Sequence, residues 1–221
     1  MDETYTVKGK EIKLDEAEGL SQTTGWRTWN AALVSIEYMK ALGDLSGKVV
    51  WDVSSGNGLL ALVCEVLGAE VAATECGACI PLLERNIARN VGSQVKPIDH
   101  AWGQGLGQLA GSRADIVILS DLLFIAFRDS IEHLLLNTIL LVAPDARTSV
   151  VLCYEERLME REVAFVNELR KFFHFEEVEM EGVYLECLKD APNDDDDDDG
   201  GGAGSLFYED PPMVLYILTR K

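Results

Sequence analysis

Two acids and a turn of small residues carry the first chemistry legible in this chain. Val49-Val50-Trp51-Asp52-Val53 reads as an apolar strand bearing an acid, and Ser54-Ser55-Gly56-Asn57-Gly58 as a tight turn into the apolar helical run that begins at Leu59. Small residues there let backbone approach a ligand closely, and the helix start offers unpaired N–H groups and a positive dipole end. A second apolar strand, Val71-Ala72-Ala73-Thr74, delivers Glu75 about twenty residues beyond Asp52, the spacing at which a carboxylate takes the hydroxyls of a ribose. The pair predicts a nucleoside-bearing cofactor. Nicotinamide dehydrogenases share this arrangement, and Ala61, standing where their third glycine falls, does not exclude them.

The elements that must position these groups alternate regularly. Residues 1–23 are polar, lack a sustained apolar face and read as an N-terminal arm. From Trp29 to Leu42, apolar residues at Ala32, Leu33, Ile36, Met39 and Leu42 recur at helical spacing. Helices near Gly58 to Leu67, Ala78 to Asn90, Ser130 to Val142 and Arg157 to Phe173 then separate strands at Val49 to Val53, Val71 to Thr74, Val95 to Ile98, Ile116 to Leu119 and Ser149 to Tyr154. Short, nearly all-apolar strands between helices specify an α/β, doubly wound, mostly parallel sheet covered on both faces. The C-terminal end departs from this. Phe175 to Leu188 and Met213 to Thr219 are apolar segments with no helix between them, so they are expected to pair as an antiparallel hairpin. Their connection, residues 192–205, holds a run of aspartates and then glycines, which predicts a flexible, self-repelling loop. The terminal hairpin argues against the dehydrogenase reading more strongly than the glycine spacing does.

Composition narrows the partners. With 221 residues, 48% of them hydrophobic, the chain is long enough for one domain with a sizeable core. A net charge of −19 repels nucleic acid and anionic membranes and favours cationic partners such as lysine-rich protein surfaces, while also serving solubility. The longest apolar stretch, Leu134 to Ala143, is too short to span a bilayer. Five scattered cysteines, with no secretory leader read at the N-terminus, are expected to be reduced thiols of a cytoplasmic or nuclear protein. Cys76-Gly77-Ala78-Cys79 has redox or zinc spacing, but the histidines are dispersed and no second pair exists, so packing is the expected role and no metal site is assigned.

In its order of segments the chain resembles the seven-β-strand S-adenosylmethionine methyltransferases, and within them methyltransferase family 16, the methyltransferase-like protein-lysine methyltransferases. Thr24-Gly25-Trp26-Arg27-Thr28-Trp29-Asn30 is similar to the family's entry motif, Trp102-Gly103-Gln104-Gly105 and Ser120-Asp121-Leu122-Leu123-Phe124 to later ones, and Tyr154-Glu155-Glu156-Arg157 to its aromatic, charged run. The resemblance covers roughly residues 24–188 and the last strand.

The resemblance implies a seven-stranded Rossmann-like sheet and S-adenosyl-L-methionine as cofactor. It also implies a role for each candidate residue. Ser54, Gly56, Gly58 and Ser120 would border the cofactor, Asp52 would anchor its ammonium or an ordering water, and Glu75 would hold the ribose. Asp99 would accept from the adenine amino group, Trp102 would cover the base and Trp29 would close the pocket. Asp121 would meet the target lysine, with Phe124 shaping its channel. The residues alone leave other roles open: Trp29 and Trp102 as core, Asp99 as a turn acid, Asp121 as a helix cap. The family pattern has glycine at Ser54 and often tyrosine at Phe124. The implied protein is a cytoplasmic monomer that methylates lysine on a protein substrate, an elongation factor, chaperone or AAA-type ATPase. A non-catalytic binding protein and a small-molecule methyltransferase remain as alternatives.

Overall fold

A computed structural model describes residues 2–15, 24–109, 112–179 and 212–221. Seven strands form one sheet: β3 (Val49–Val53), β4 (Glu70–Glu75), β5 (Lys96–Asp99), β6 (Ile116–Ser120), β7 (Ser149–Glu155), β8 (Phe173–Glu177) and β9 (Met213–Arg220). Their order is β5-β4-β3-β6-β7-β9-β8. The first five run parallel, and β9 lies antiparallel between β7 and β8. The α/β sheet and its terminal antiparallel pairing are therefore as the sequence predicts. The first strand of that pair is described over Phe173–Glu177, and residues 180–188, like the acidic connection at 192–205, lie outside the described residues.

Both sheet faces are covered because strand residues alternate between two cores. In β7, Val150, Leu152 and Tyr154 join one core, and Val151 and Cys153 the other. Helices α1 (Asn30–Leu42), α2 (Leu59–Val66) and α3 (Ile80–Arg89) cover one face, and α4 (Leu122–Arg128), α5 (Glu132–Val142) and α6 (Met159–Leu169) the other. The chain reverses its winding at β3, whose neighbours β4 and β6 lead to helices on opposite faces. A crevice opens at the carboxyl ends of strands around such a switch point, where open α/β sheets bind ligands.

The N-terminal residues depart from the expected polar arm. Two strands, β1 (Asp2–Val7) and β2 (Lys10–Asp15), pair antiparallel. Val7, Ile12 and Leu14 are buried in the core that α2 and α3 share. Alternation over so few residues, among lysines and acids, hides a strand that buries two side chains. Asn90 fixes β2 by accepting from the Lys13 N–H at 2.9 Å and donating to its carbonyl at 2.8 Å, and Asn86 accepts from the Asp15 N–H at 2.7 Å.

Candidate active site

The turn after β3 and the end of β4 form a single hydrogen-bonded unit. The Gly56 N–H donates to Glu75 Oε2 at 2.8 Å and the Cys76 N–H to Oε1 at 2.9 Å, so one carboxylate oxygen takes an amide of the turn and the other the amide that follows β4. Burial pushes the Glu75 carboxyl up, against the lowering effect of those two amides. Asp52 is 2% exposed, and its Oδ2 has no hydrogen-bond partner among the described residues. Desolvation pushes its carboxyl up to about 7, with the Glu75 charge adding to the rise and hydrogen bonding to Ser55 and the Ala61 amide opposing it. An orphaned, buried carboxylate oxygen at a cavity wall is suited to a cationic group.

Backbone conformation explains the small residues. Gly56 has φ +56°, and a Cβ there would stand 3.2 Å from the Gly25 carbonyl oxygen, so the entry segment lies directly across the turn. Asn57 strengthens this contact by donating from Nδ2 to the Thr28 hydroxyl at 2.8 Å. Cys79 packs its sulfur where a Gly25 Cβ would fall, which gives this buried thiol of the Cys76/Cys79 pair a packing role. Ser54 adopts the left-handed conformation expected of a glycine, at φ +58°. Its hydroxyl accepts from the Trp102 indole at 3.0 Å, and its N–H donates to the Thr74 hydroxyl at 3.1 Å.

These groups open onto a cavity of about 440 Å³, within the range of small-molecule sites. Its wall includes Trp29, Asp52, Ser54, Gly56, Glu75, Trp102, Ser120, Asp121 and Phe124. The Ser120 hydroxyl is buried with no hydrogen-bond partner among the described residues. Nine of the eleven candidate residues are thus brought together. Two are not. Gly58 lies off the wall at the start of α2, where its φ of +88° and the Leu83 side chain account for the glycine. Asp99 is exposed at the end of the edge strand β5, because alternation sends Ile98 into the core and Asp99 outward.

Asp121 sits in the left-handed region, φ 55° and ψ 33°, at the position before α4. It makes no side-chain capping hydrogen bond. Its carboxylate instead accepts from both terminal guanidinium nitrogens of Arg157, Nη1 to Oδ1 at 2.8 Å and Nη2 to Oδ2 at 3.0 Å. Arg157 also pairs with Glu155 and lies 5.5 Å from the Phe124 ring centre and 5.9 Å from that of Trp29. Sequence reasoning noted Arg157 only as part of a charged run. Its signal was a lone cation among acids directly after a strand end.

The sheet order and the crevice at its switch point are those of the Rossmann-like methyltransferase fold. The sheet superimposes on a magnesium protoporphyrin IX methyltransferase of Synechocystis solved with bound cofactor, TM-score 0.54 at 15% identity over 87% of this chain and 79% of that one. A TehB-like methyltransferase of Corynebacterium glutamicum matches with TM-score 0.52 at 10% identity, over 86% and 88%.

The family follows from sequence. Residues 7–172 match the model of a lysine methyltransferase family, and the chain belongs to that family. It is 27% identical to the protein-lysine methyltransferase METTL21E of Bos taurus over 80% of this chain and 61% of that protein, so it spans about three fifths of that relative's length. It is 29% identical to the protein N-lysine methyltransferase METTL21A of Danio rerio, over 68% and 69%. With EEF1A lysine methyltransferase 3 of Xenopus tropicalis it shares 27% identity, over 53% and 56%.

Proposed function

We propose that this protein is an S-adenosylmethionine-dependent protein-lysine N-methyltransferase acting on a cytosolic protein. The observation that carries the reading is one cavity whose wall holds both the orphaned Asp52 oxygen and the Asp121 carboxylate flanked by Trp29 and Phe124. Asp52 receives the cofactor's ammonium, the remaining lone pairs of Glu75 accept from the ribose, and Trp102 covers the base. Trp29 and Phe124 present ring faces to a cation passing toward Asp121.

When bound, S-adenosylmethionine supplies an electrophilic methyl on cationic sulfur; the amine lone pair forms the N–C bond as the C–S pair returns to sulfur, and a proton leaves to solvent. No covalent enzyme intermediate is needed, so alignment and exclusion of water supply the rate. The relatives named as lysine methyltransferases, one of them for EEF1A, support a protein acceptor. The net charge of −19 supports one with a basic surface.

Two measurements test this. Calorimetry should show S-adenosylmethionine binding to the native protein and marked loss with Asp52→Ala or Glu75→Ala. Incubation with tritiated cofactor and lysate should label protein on lysine. Binding without any labelled lysine would reject the reading.

A further inference from the structure

Asp121 does not face the cavity as a bare carboxylate. Both its oxygens are engaged by the fork of Arg157, whose guanidinium is not part of the cavity wall. The loop carrying Arg157 is itself fixed, since the N–H groups of Arg157 and Leu158 each donate to Glu162 Oε1 at 3.1 Å and Glu162 is buried. We propose that Arg157 is the positioning residue of the acceptor site: from behind the wall it fixes Asp121 as a charge-compensated carboxylate and braces the rings of Trp29 and Phe124. The inference rests on the methyltransferase reading above.

The reason is the protonation state of the acceptor. Only a neutral amine has the lone pair that attacks, whereas lysine in water is an ammonium. A bare carboxylate, 9% exposed, would hold that ammonium as an ion pair and stabilise the form that cannot react. With its charge offset by Arg157, Asp121 retains lone pairs that accept from the amine without binding a cation strongly. A bidentate guanidinium supplies this compensation in a fixed plane, which a single ammonium cannot. Other charged groups face the same corner: Glu155 at the end of β7, Glu162 on α6, Arg128 and Asp129 on the wall at the C-terminal end of α4, and Arg27 stacked 4.1 Å from the Trp29 ring centre. The Glu155 N–H also reaches Asp121 Oδ1, at 3.5 Å, but it carries no charge, and it is the Arg157 guanidinium that spans both Asp121 oxygens and supplies the compensation.

The test compares wild type, Arg157→Met and Arg157→Lys in tritium transfer from S-adenosylmethionine to increasing lysate protein, with S-adenosylhomocysteine affinity measured alongside. Arg157→Met should lower kcat about a hundredfold without raising the apparent KM for lysate protein, and should keep the S-adenosylhomocysteine Kd within about twofold. Its kcat should recover as pH rises, because the trapped ammonium then loses its proton. Arg157→Lys should restore part of the rate. In the cofactor-free protein, Asp121→Asn with Arg157→Met should lower Tm no further than the worse single change. Unchanged kcat in Arg157→Met overturns the proposal, as does a kcat loss matched by lost S-adenosylhomocysteine affinity. A wild type that binds S-adenosylhomocysteine but transfers nothing overturns the function as well, which separates the two failures.

Discussion

The Trp102 indole N–H donates to the Ser54 hydroxyl at 3.0 Å, tying the segment after β5 to the turn after β3 at the cavity wall. The serine therefore occupies a glycine-like conformation and uses the side chain that makes that conformation costly. Removing the hydroxyl and relieving the backbone are separable. Ser54→Ala keeps the Cβ at positive φ and loses the acceptor, so it should lower Tm and weaken S-adenosylhomocysteine binding. Ser54→Gly recovers about 1 kcal/mol of backbone strain while losing a hydrogen bond worth about 1 kcal/mol. Its Tm should stay near wild type while its affinity falls as far as that of the alanine variant. Calorimetry and thermal unfolding of the two variants check the split; equal affinity in Ser54→Gly and wild type would show that the indole contact does not shape the cradle.

Asp52 gives the site a pH dependence of defined sign. Its carboxyl is pushed up to about 7 in the folded protein by burial, against about 3.9 for an aspartic acid in water. The folded state thus favours the protonated acid. The cofactor-free protein loses stability from this group as pH rises from about 4 to about 7, with no further change above. Asp52→Asn should flatten that part of the Tm-against-pH curve. A bound ammonium reverses the preference, so cofactor binding below about pH 7 should release a proton and weaken by up to about tenfold per unit of falling pH. Calorimetry in two buffers of different ionisation enthalpy measures the proton directly, and Asp52→Asn should abolish it.

Gly56 and Gly58 look alike in sequence and differ in consequence. A Cβ on Gly58 would lie 2.7 Å from Leu83 Cδ1, away from the cavity, at φ +88°. Gly58→Ala should therefore cost stability, about 1–2 kcal/mol from the left-handed conformation alone, with little change in Kd while the protein stays folded. Gly56→Ala crowds the Gly25 carbonyl at the cavity wall and should weaken cofactor binding instead. Unfolding curves and calorimetry on both variants separate the effects.

The sequence made legible what depends on local pattern. Apolar strands between helices specified the parallel sheet, and the acid, small-residue turn and second acid pointed to Asp52, Gly56 and Glu75, which line one cavity. Long-range partners were not legible. Arg157 is 36 residues from Asp121, and only the adjacency of β6 and β7 brings them together. Asp99 and Gly58 were assigned by position in a motif, whereas strand alternation and helix packing decide where they point. The six consecutive apolar residues of α4, Leu122 to Phe127, carry no helical spacing and so hid a helix of seven residues. The first hairpin was missed because only Val7, Ile12 and Leu14 mark it.

That hairpin reaches the turn after β3 through Asn86. Its side chain is fully buried in α3, accepts from the Asp15 N–H at 2.7 Å and donates to the Asn57 carbonyl at 2.8 Å. One amide therefore satisfies backbone from β2 and from the turn that borders the cavity. Asn86→Ala leaves both partners buried or half-buried without their bond, at about 1–3 kcal/mol for each unsatisfied group. Thermal unfolding should show the loss. Asn86→Asp keeps the acceptor toward Asp15 but turns the donor into a second acceptor facing the Asn57 carbonyl, so it should be no better than alanine. If the relay also sets the turn, amide hydrogen exchange should rise at Asp15 and together with it at Gly58 and Leu59. Faster exchange confined to Asp15 would make Asn86 a clamp for the hairpin alone.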